Sequence, residues 1–427
     1  MSMRDRLSFL DRQSVSWALY DVGNSAFALS VLAVLFPLVL GSYWSGGEAD
    51  ATVTARLAGV NAAASLAVFL LAPLLGALSD TGGFRKRFLL LFVCAGAACT
   101  AALSLVGEGG WSSALVLFMF ASISYYSGNV FYDSLLVDVS KPRYYSLIST
   151  LGFSLGYFGS ASLLTLHVVM LRAPASFGFE DTTAVTSFVF ASAGVWWVLF
   201  VLPLMFFVRE QPSSLAVSRG RVRAAYRALL ETFRKIRRYR NVVLFLTAYF
   251  FYIGGVFTVI VMAVNFGQRL GFSSTDLVSA ILITNFAGFP ATLAYGYLGH
   301  RIGPKRALFL GLAVYIGVAC WAAFLSEVRE FYVMAIIIGS VQGGVQGMSR
   351  SLYAALIPAD QSGEFFGFYN TLTKLAHFLG PLLVALGTLV SDDPKFILLA
   401  LLPLFVAGAL LLMRVFEPPE LTGRTGG

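Results

Sequence analysis

Asp21, Asp133, Arg350 and Lys374 all stand inside long apolar runs. A charge at such depth is expensive and faces protein or a water-filled cavity rather than lipid. Groups able to hydrogen-bond surround them: Tyr20 and Asn24 beside Asp21, Tyr126, Asn129 and Tyr132 beside Asp133, Gln342 and Gln346 before Arg350, and His377 one turn from Lys374. Helical spacing gathers them into faces. Asp21 and Asn24 are i, i+3, Tyr20 and Asn24 are i, i+4, and Asn129 with Asp133 and Gln342 with Gln346 and Arg350 repeat the four-residue step. Tyr249 and Tyr252 add phenols on a further run. Such a set suits ion pairing, hydrogen bonding to a polar solute and proton uptake by a buried acid. At 1.5 Å per residue, Asp21, Asp133 and Arg350 each lie about 10 Å from one end of their runs. Lys374 is slightly deeper. The expectation is an ion-paired network of all four, opened and closed as the surrounding helices move and biased by protonation of Asp21 or Asp133.

The elements that hold these residues are read from composition and runs. The 427 residues are 58% hydrophobic and 12% charged, against about 25% charged in soluble chains. Lipid must solvate much of this surface. Apolar stretches of about 20 residues fall at roughly 15–44, 52–79, 87–106, 111–139, 146–171, 184–208, 241–267, 274–299, 306–325, 331–357, 365–390 and 395–416. The net charge of +8 reads through the positive-inside rule rather than as a nucleic-acid signal. Alternate loops collect most Lys and Arg, including Arg85 to Arg87, Lys141, Arg143, the stretch from Arg209 to Arg240, Arg301, Lys305 and Arg306. The opposite loops hold only Arg172, Arg269, Arg329 and Lys395. The expected fold is an all-α integral membrane protein of twelve transmembrane helices, with both termini cytoplasmic. The N-terminus lacks a cleavable signal and is expected to stay inside. Cys94, Cys99 and Cys320 lie in apolar runs and read as packing residues.

The chain repeats itself. Gly76-Ala-Leu-Ser-Asp80-Thr-Gly-Gly-Phe-Arg85-Lys86 recurs, 220 residues on, as Gly296-Tyr-Leu-Gly-His300-Arg-Ile-Gly-Pro-Lys305-Arg306. Repeats in one orientation imply halves related by an axis along the membrane normal. The domains are then 1–208, a six-helix half; 209–240, a cytoplasmic linker; and 241–427, a second six-helix half.

This repeated segment resembles the loop signature of the major facilitator superfamily. The resemblance implies a latch between helix ends on the cytoplasmic face, built by Gly76, Asp80, Arg85 and Lys86 and by Gly296, His300, Lys305 and Arg306. His300 replaces the acid in the second copy, which implies a weaker or pH-dependent latch there. Further stretches narrow the resemblance: Trp17 to Ala28, Ser149 to Gly159, Gln342-Gly343-Gly344 through Ser349-Arg350-Ser351, and Phe365-Phe366-Gly367-Phe368-Tyr369. Together they look like the vacuole-effluxer-like branch, whose eukaryotic members are implicated in releasing amino acids from the vacuole. The opening has Tyr-Asp-Val-Gly-Asn where that branch has Tyr-Asp-Trp-Ala-Asn, and it keeps Asp21 and Asn24. The resemblance also implies that the first, fourth, seventh and tenth helices line a central cavity. That places Tyr20, Asp21, Asn24, Tyr126, Asn129, Tyr132, Asp133, Tyr249, Tyr252, Gln342, Gln346 and Arg350 at a substrate or coupling site, joined by Lys374 and His377. Asp138 is expected to be a surface acid near the inner interface. Gly152, Gly156 and Gly159 form a small-residue face for close helix packing.

From Arg219 to Arg240, Val222, Tyr226, Leu229, Phe233 and Ile236 make one apolar stripe in a basic segment. It reads as an amphipathic helix on the inner membrane surface, held by anionic lipid. No nucleotide-binding glycine loop occurs and no Cys/His cluster has metal spacing. The chain is therefore expected to be no enzyme and to need no cofactor or metal. The reading is a monomeric secondary transporter of a small organic solute, amino acids first, working by alternating access in the cytoplasmic membrane if bacterial. An exporter of amphiphilic lipids or drugs is the alternative within transport. A membrane sensor on the same fold is the other, and the short termini leave little room for its signalling domain.

Overall fold

The computed structural model describes residues 10–80, 83–211, 239–388 and 399–421. Every regular element among them is helical. Among the described residues, ten helices are long and apolar enough to cross a membrane: α1 (Arg12–Trp44), α2 (Asp50–Asp80), α3 (Arg85–Leu105), α4 (Trp111–Val139), α5 (Pro142–Arg172), α6 (Thr182–Phe207), α7 (Arg240–Arg269), α8 (Ser274–Ile302), α9 (Pro304–Ala322) and α10 (Val328–Leu356). Two more follow, α11 (Ser362–Thr388) and the shorter α12 (Leu402–Met413). The expected linker helix falls almost wholly on 212–238, outside the described residues.

Local chemistry sets the ends of these helices. Asp11 caps α1 by accepting from the Ser14 N–H at 2.7 Å, and Asp181 caps α6 by accepting from the Ala184 N–H. A capping box between Ser273 and Asp276 opens α8. Gly303, at φ +93°, turns the chain so that Pro304 starts α9. Inside α1 the winding loosens to a π-helix over Phe27–Leu35 and Leu40–Trp44. Large apolar side chains such as Leu38, Leu70, Phe120, Leu199 and Phe206 stay exposed on the outer surface, as a lipid-facing exterior requires.

Within α1–α6, α1 packs on α5 and α6, while α4 packs on α2 and α3. Within α7–α12, α7 packs on α11 and α12, while α10 packs on α8 and α9. The two sets meet through α5, which lies against α8 and α10, and through α11, which lies against α2 and α4. Exchanging the sets turns one pair of contacts into the other. The small face of α5 packs on α1. A Cβ at Gly152 would meet the Asp21 carboxylate, one at Gly156 the Ser25 hydroxyl, and one at Gly159 Val22.

Candidate functional site

Among the described residues, one ion pair joins the two sets of helices. Arg350 of α10 donates from Nη1 to Asp133 Oδ1 of α4 at 3.0 Å. Each residue lies six positions before the end of its helix, so the pair sits at equivalent places in the two sets. Helix α5 completes the guanidinium's partners: Nε donates to Ser149 Oγ and Nη2 to the Ser149 carbonyl, both at 2.8 Å. The rings of Trp17 and Phe153 lie 4.7 and 4.3 Å from the guanidinium carbon, within cation–π range. Asn370 of α11 donates to the other Asp133 oxygen at 3.0 Å. A buried ion pair survives only when hydrogen bonds satisfy its remaining atoms, and α5 and α11 supply them.

Asp21 stands apart from that pair. Its oxygens accept from Tyr132 OH at 3.2 Å and Ser25 Oγ at 3.3 Å. Beside it, Tyr20 OH donates to Asn24, and Asn24 donates to Asn129 at 3.0 Å, tying α1 to α4. Trp17 stacks on Tyr132, with centroids 4.5 Å apart, and donates to the Tyr132 carbonyl. The indole thereby fixes the phenol that meets Asp21.

The expected four-membered ionic network is not what forms. Lys374 places its ammonium over the Tyr126 ring, 2.6 Å from the centroid. Among the described residues no carboxylate lies within 4.0 Å of it. The reason is helical rise. Asn370 is one turn nearer Asp133 than Lys374 is, about 6 Å along α11, and it takes the oxygen that Lys374 was expected to meet.

These residues line a cavity of about 740 Å³ between the two sets of helices. Of the positions named from sequence, Asp21, Asn24, Tyr126, Asn129, Tyr132, Asp133, Tyr249, Gln342, Gln346, Arg350, Lys374 and His377 line it. Tyr20 and Tyr252 do not: both are fully buried behind it, and Tyr252 OH bonds Ser349 at 2.7 Å. Sequence reasoning passed over Tyr157, whose hydroxyl accepts from Gln342 at 3.0 Å, and Phe153, which also lines the cavity. It did not assign Ser149 or Asn370 as partners of the ion pair. Ser149, Phe153 and Tyr157 recur at four-residue steps on α5, a periodicity that marks one helix face.

The end of the molecule carrying Arg85, Arg143, Lys305 and Arg306 is closed. Gly76 of α2 packs so tightly on Gly363 of α11 that a Cβ would overlap the Gly363 carbonyl. Asp80 accepts from the N–H groups of Gly363 at 3.0 Å and Glu364 at 2.8 Å, capping α11 from the other set of helices. Arg85 donates to Ser362 Oγ at 2.6 Å and pairs with Asp138 and Glu210, both at 3.2 Å. Asp138 is therefore a buried member of this cluster and not the surface acid expected. The Arg85 guanidinium, itself buried, reaches across to it. Lys86 donates to the carbonyls of Met205 and Val208. In the second copy Lys305 does the same to Met413 and Val415, while its N–H donates to Glu417. His300 meets the Arg143 carbonyl at 2.9 Å, Gly296 packs on Thr150, and Arg306 is exposed. The cavity stops at Asp133 and Arg350, about 9 Å short of this end. Its far lining includes Leu277 and Phe331, within one turn of the opposite ends of α8 and α10.

Comparison with known proteins agrees with this arrangement. The model of the family described as "Vacuole effluxer Atg22 like" matches residues 42–144 and 137–417. An uncharacterized MFS-type transporter of Bacillus subtilis (strain 168), YxiO, is 34% identical over 417 residues, covering 96% of this chain and 95% of its own. Among solved structures, the human organic anion transporter MFSD10 aligns over 94% of this chain and 99% of its own, with a TM-score of 0.70 and 20% identity. The major facilitator transporter FucP, in an outward conformation, aligns over 96% of this chain and all of its own, with a TM-score of 0.74 and 12% identity. At these identities the two structures speak for the fold alone.

Proposed function

We propose, on the premise that this chain belongs to the Atg22-like vacuole effluxer family of major facilitator transporters, that it moves a small organic solute, amino acids first, by alternating access. The reading takes α1–α6 and α7–α12 as two six-helix halves of a twelve-span protein, with both termini and the basic end in the cytoplasm. One observation carries it. A cavity whose apolar walls carry charged and polar side chains lies between the two sets of helices, and its basic end is shut by contacts that run from one set to the other at Asp80, Arg85 and Gly76. Contacts of this kind break when two bodies rock apart. The state described is then open away from the cytoplasm.

The charges lining the cavity support a zwitterionic solute. Asp133 and Arg350 neutralise each other. Asp21 and Lys374 line the same cavity as opposite charges without pairing to each other. An amino acid presents the complementary ammonium and carboxylate. The repeated small contacts at Gly76, Gly296 and Gly363 permit the close approach that seals one end.

Protonation of Asp21 or Asp133 eases separation of the halves and couples transport to a proton gradient. The test is uptake from a mixed amino-acid pool into proteoliposomes, with and without a pH gradient. Asp21→Asn and Asp133→Asn are expected to abolish the pH dependence. Wild-type uptake and pH response in both variants would rule the coupling out.

A further inference from the structure

Of the charged side chains lining the cavity, Asp133 and Arg350 pair with each other, Asp21 accepts from two hydroxyls, and Lys374 has no carboxylate partner among the described residues. Both Asp133 oxygens are taken, by Arg350 and Asn370. Both Asp21 oxygens are taken, by Tyr132 and Ser25. Arg350 spends its guanidinium on Asp133 and Ser149 and presents its face to Trp17 and Phe153. Lys374 is left. It is 6% exposed, lines the cavity, and meets the Tyr126 ring rather than a carboxylate of the described residues.

A second group stands one turn along the same face of α11. His377 also lines the cavity, its ring tilted against Phe257 with centroids 3.9 Å apart. Its Nε2 is buried with no hydrogen-bond partner among the described residues. Buried polar atoms ordinarily find a partner, and buried cations find a counter-ion. Here the Lys374 ammonium lacks a counter-ion among the described residues, and one turn on His377 Nε2 lacks a hydrogen-bond partner, both residues being part of the same cavity lining.

We infer that Lys374 and His377, walled by Tyr126 and Phe257, form the subsite that holds a single carboxylate of the transported solute. This rests on the transporter reading above and adds which charge on the solute is required. One carboxylate oxygen meets the Lys374 ammonium, and the other accepts from His377 in its Nε2–H tautomer. The aromatic walls keep water off the pair and strengthen it. The charge count selects a monoanion. A doubly charged phosphate ester would leave one negative charge uncompensated against those rings. The cation–π contact holds the ammonium in place while the site waits for its ion.

The test uses the full chain in lipid nanodiscs and a panel of amino acids, the matching amino-acid amides, and the matching deaminated acids. Binding is read by calorimetry. Amino acids and deaminated acids are expected to bind, and the amides to bind about tenfold or more weaker, the worth of a lost charge-assisted hydrogen bond. Lys374→Gln is expected to lose about tenfold or more for the carboxylates while leaving the weak amide binding unchanged, and Lys374→Arg to restore most of the loss. Without ligand, Lys374→Gln is expected to unfold at a higher temperature than wild type, because it removes a buried charge that no carboxylate compensates. A lysine kept for structure gives the reverse shift. Amides that bind as well as acids, carboxylate binding indifferent to Lys374→Gln, or no binding by any carboxylate in the panel overturns the subsite. Counterflow in proteoliposomes separates the two claims. Lys374-dependent binding without exchange sinks the transport reading and leaves the subsite standing. Equal exchange of amides and acids does the opposite.

Discussion

Arg350 and Asp133 hold each other in a site where neither could remain alone. Replacing one by Ala leaves the other buried and uncompensated, which costs about 3–5 kcal/mol. Arg350→Ala and Asp133→Ala are therefore expected to lower the unfolding temperature in detergent sharply. Replacing both together by apolar residues of similar size, Arg350→Met with Asp133→Leu, is expected to recover most of that stability while transport stays lost. Full activity in the double variant would show that the pair only ties helices together. Much of this was legible in the sequence. Counting along the helices placed Asp21, Asp133 and Arg350 at one level, and that needs only the rise per residue. Partner choice was not legible, because it depends on how each helix is turned about its own axis. Lys374 missed Asp133 by one turn because Asn370 stands between them. Ser149 and Tyr157 entered from a helix that no count of buried charges pointed to.

Helix α11 begins on a cap that it does not own. Asp80 of α2 receives two of its first N–H groups. Asp80→Ala removes that cap, worth about 0.5–2 kcal/mol in ordinary helices, and is expected to loosen the basic end without unfolding the protein. Gly76→Val acts on the same contact by bulk, since a side chain there overlaps the Gly363 backbone. A reporter is at hand where Ser146 of α5 meets Ser351 of α10 at 3.0 Å. A cysteine placed at Ser351, with Cys94, Cys99 and Cys320 replaced, is expected to resist a water-soluble maleimide in the state described. It should react several-fold faster in the Asp80→Ala or Gly76→Val background. Equal protection in all three proteins would mean that these contacts do not hold the end shut. Helix positions and many of their ends were readable, because apolar length and caps such as Asp11 and Ser273 are local signals. The π-helical stretches of α1 were not, since Phe27–Leu35 is an apolar run interrupted only by Ser30, with no Gly or Pro to mark a change of winding.

At the scale of the whole molecule, two sets of helices meet at an ion pair beneath the cavity and at one closed end made of a close backbone approach at Gly76 and Gly363 and side-chain contacts from Asp80 and Arg85. Under the proposed alternating access, rocking them apart at that end and together at the other would carry a solute past Asp133 and Arg350. The repeat at 220 residues disclosed this symmetry in the sequence, because Gly76 and Gly296 stand at matching helix ends. The cavity's shape was hidden, since it depends on where α5 and α11 cross the interface. Exchange requires no energy source, so counterflow isolates the transport step itself. Proteoliposomes loaded with a mixed amino-acid pool are diluted into trace labelled amino acids, at matched and unmatched pH. Transient accumulation of at least one label above its equilibrium level, lost in Arg350→Ala, is the predicted result. The absence of exchange for every amino acid at every pH, from protein shown to be folded and inserted, would contradict it.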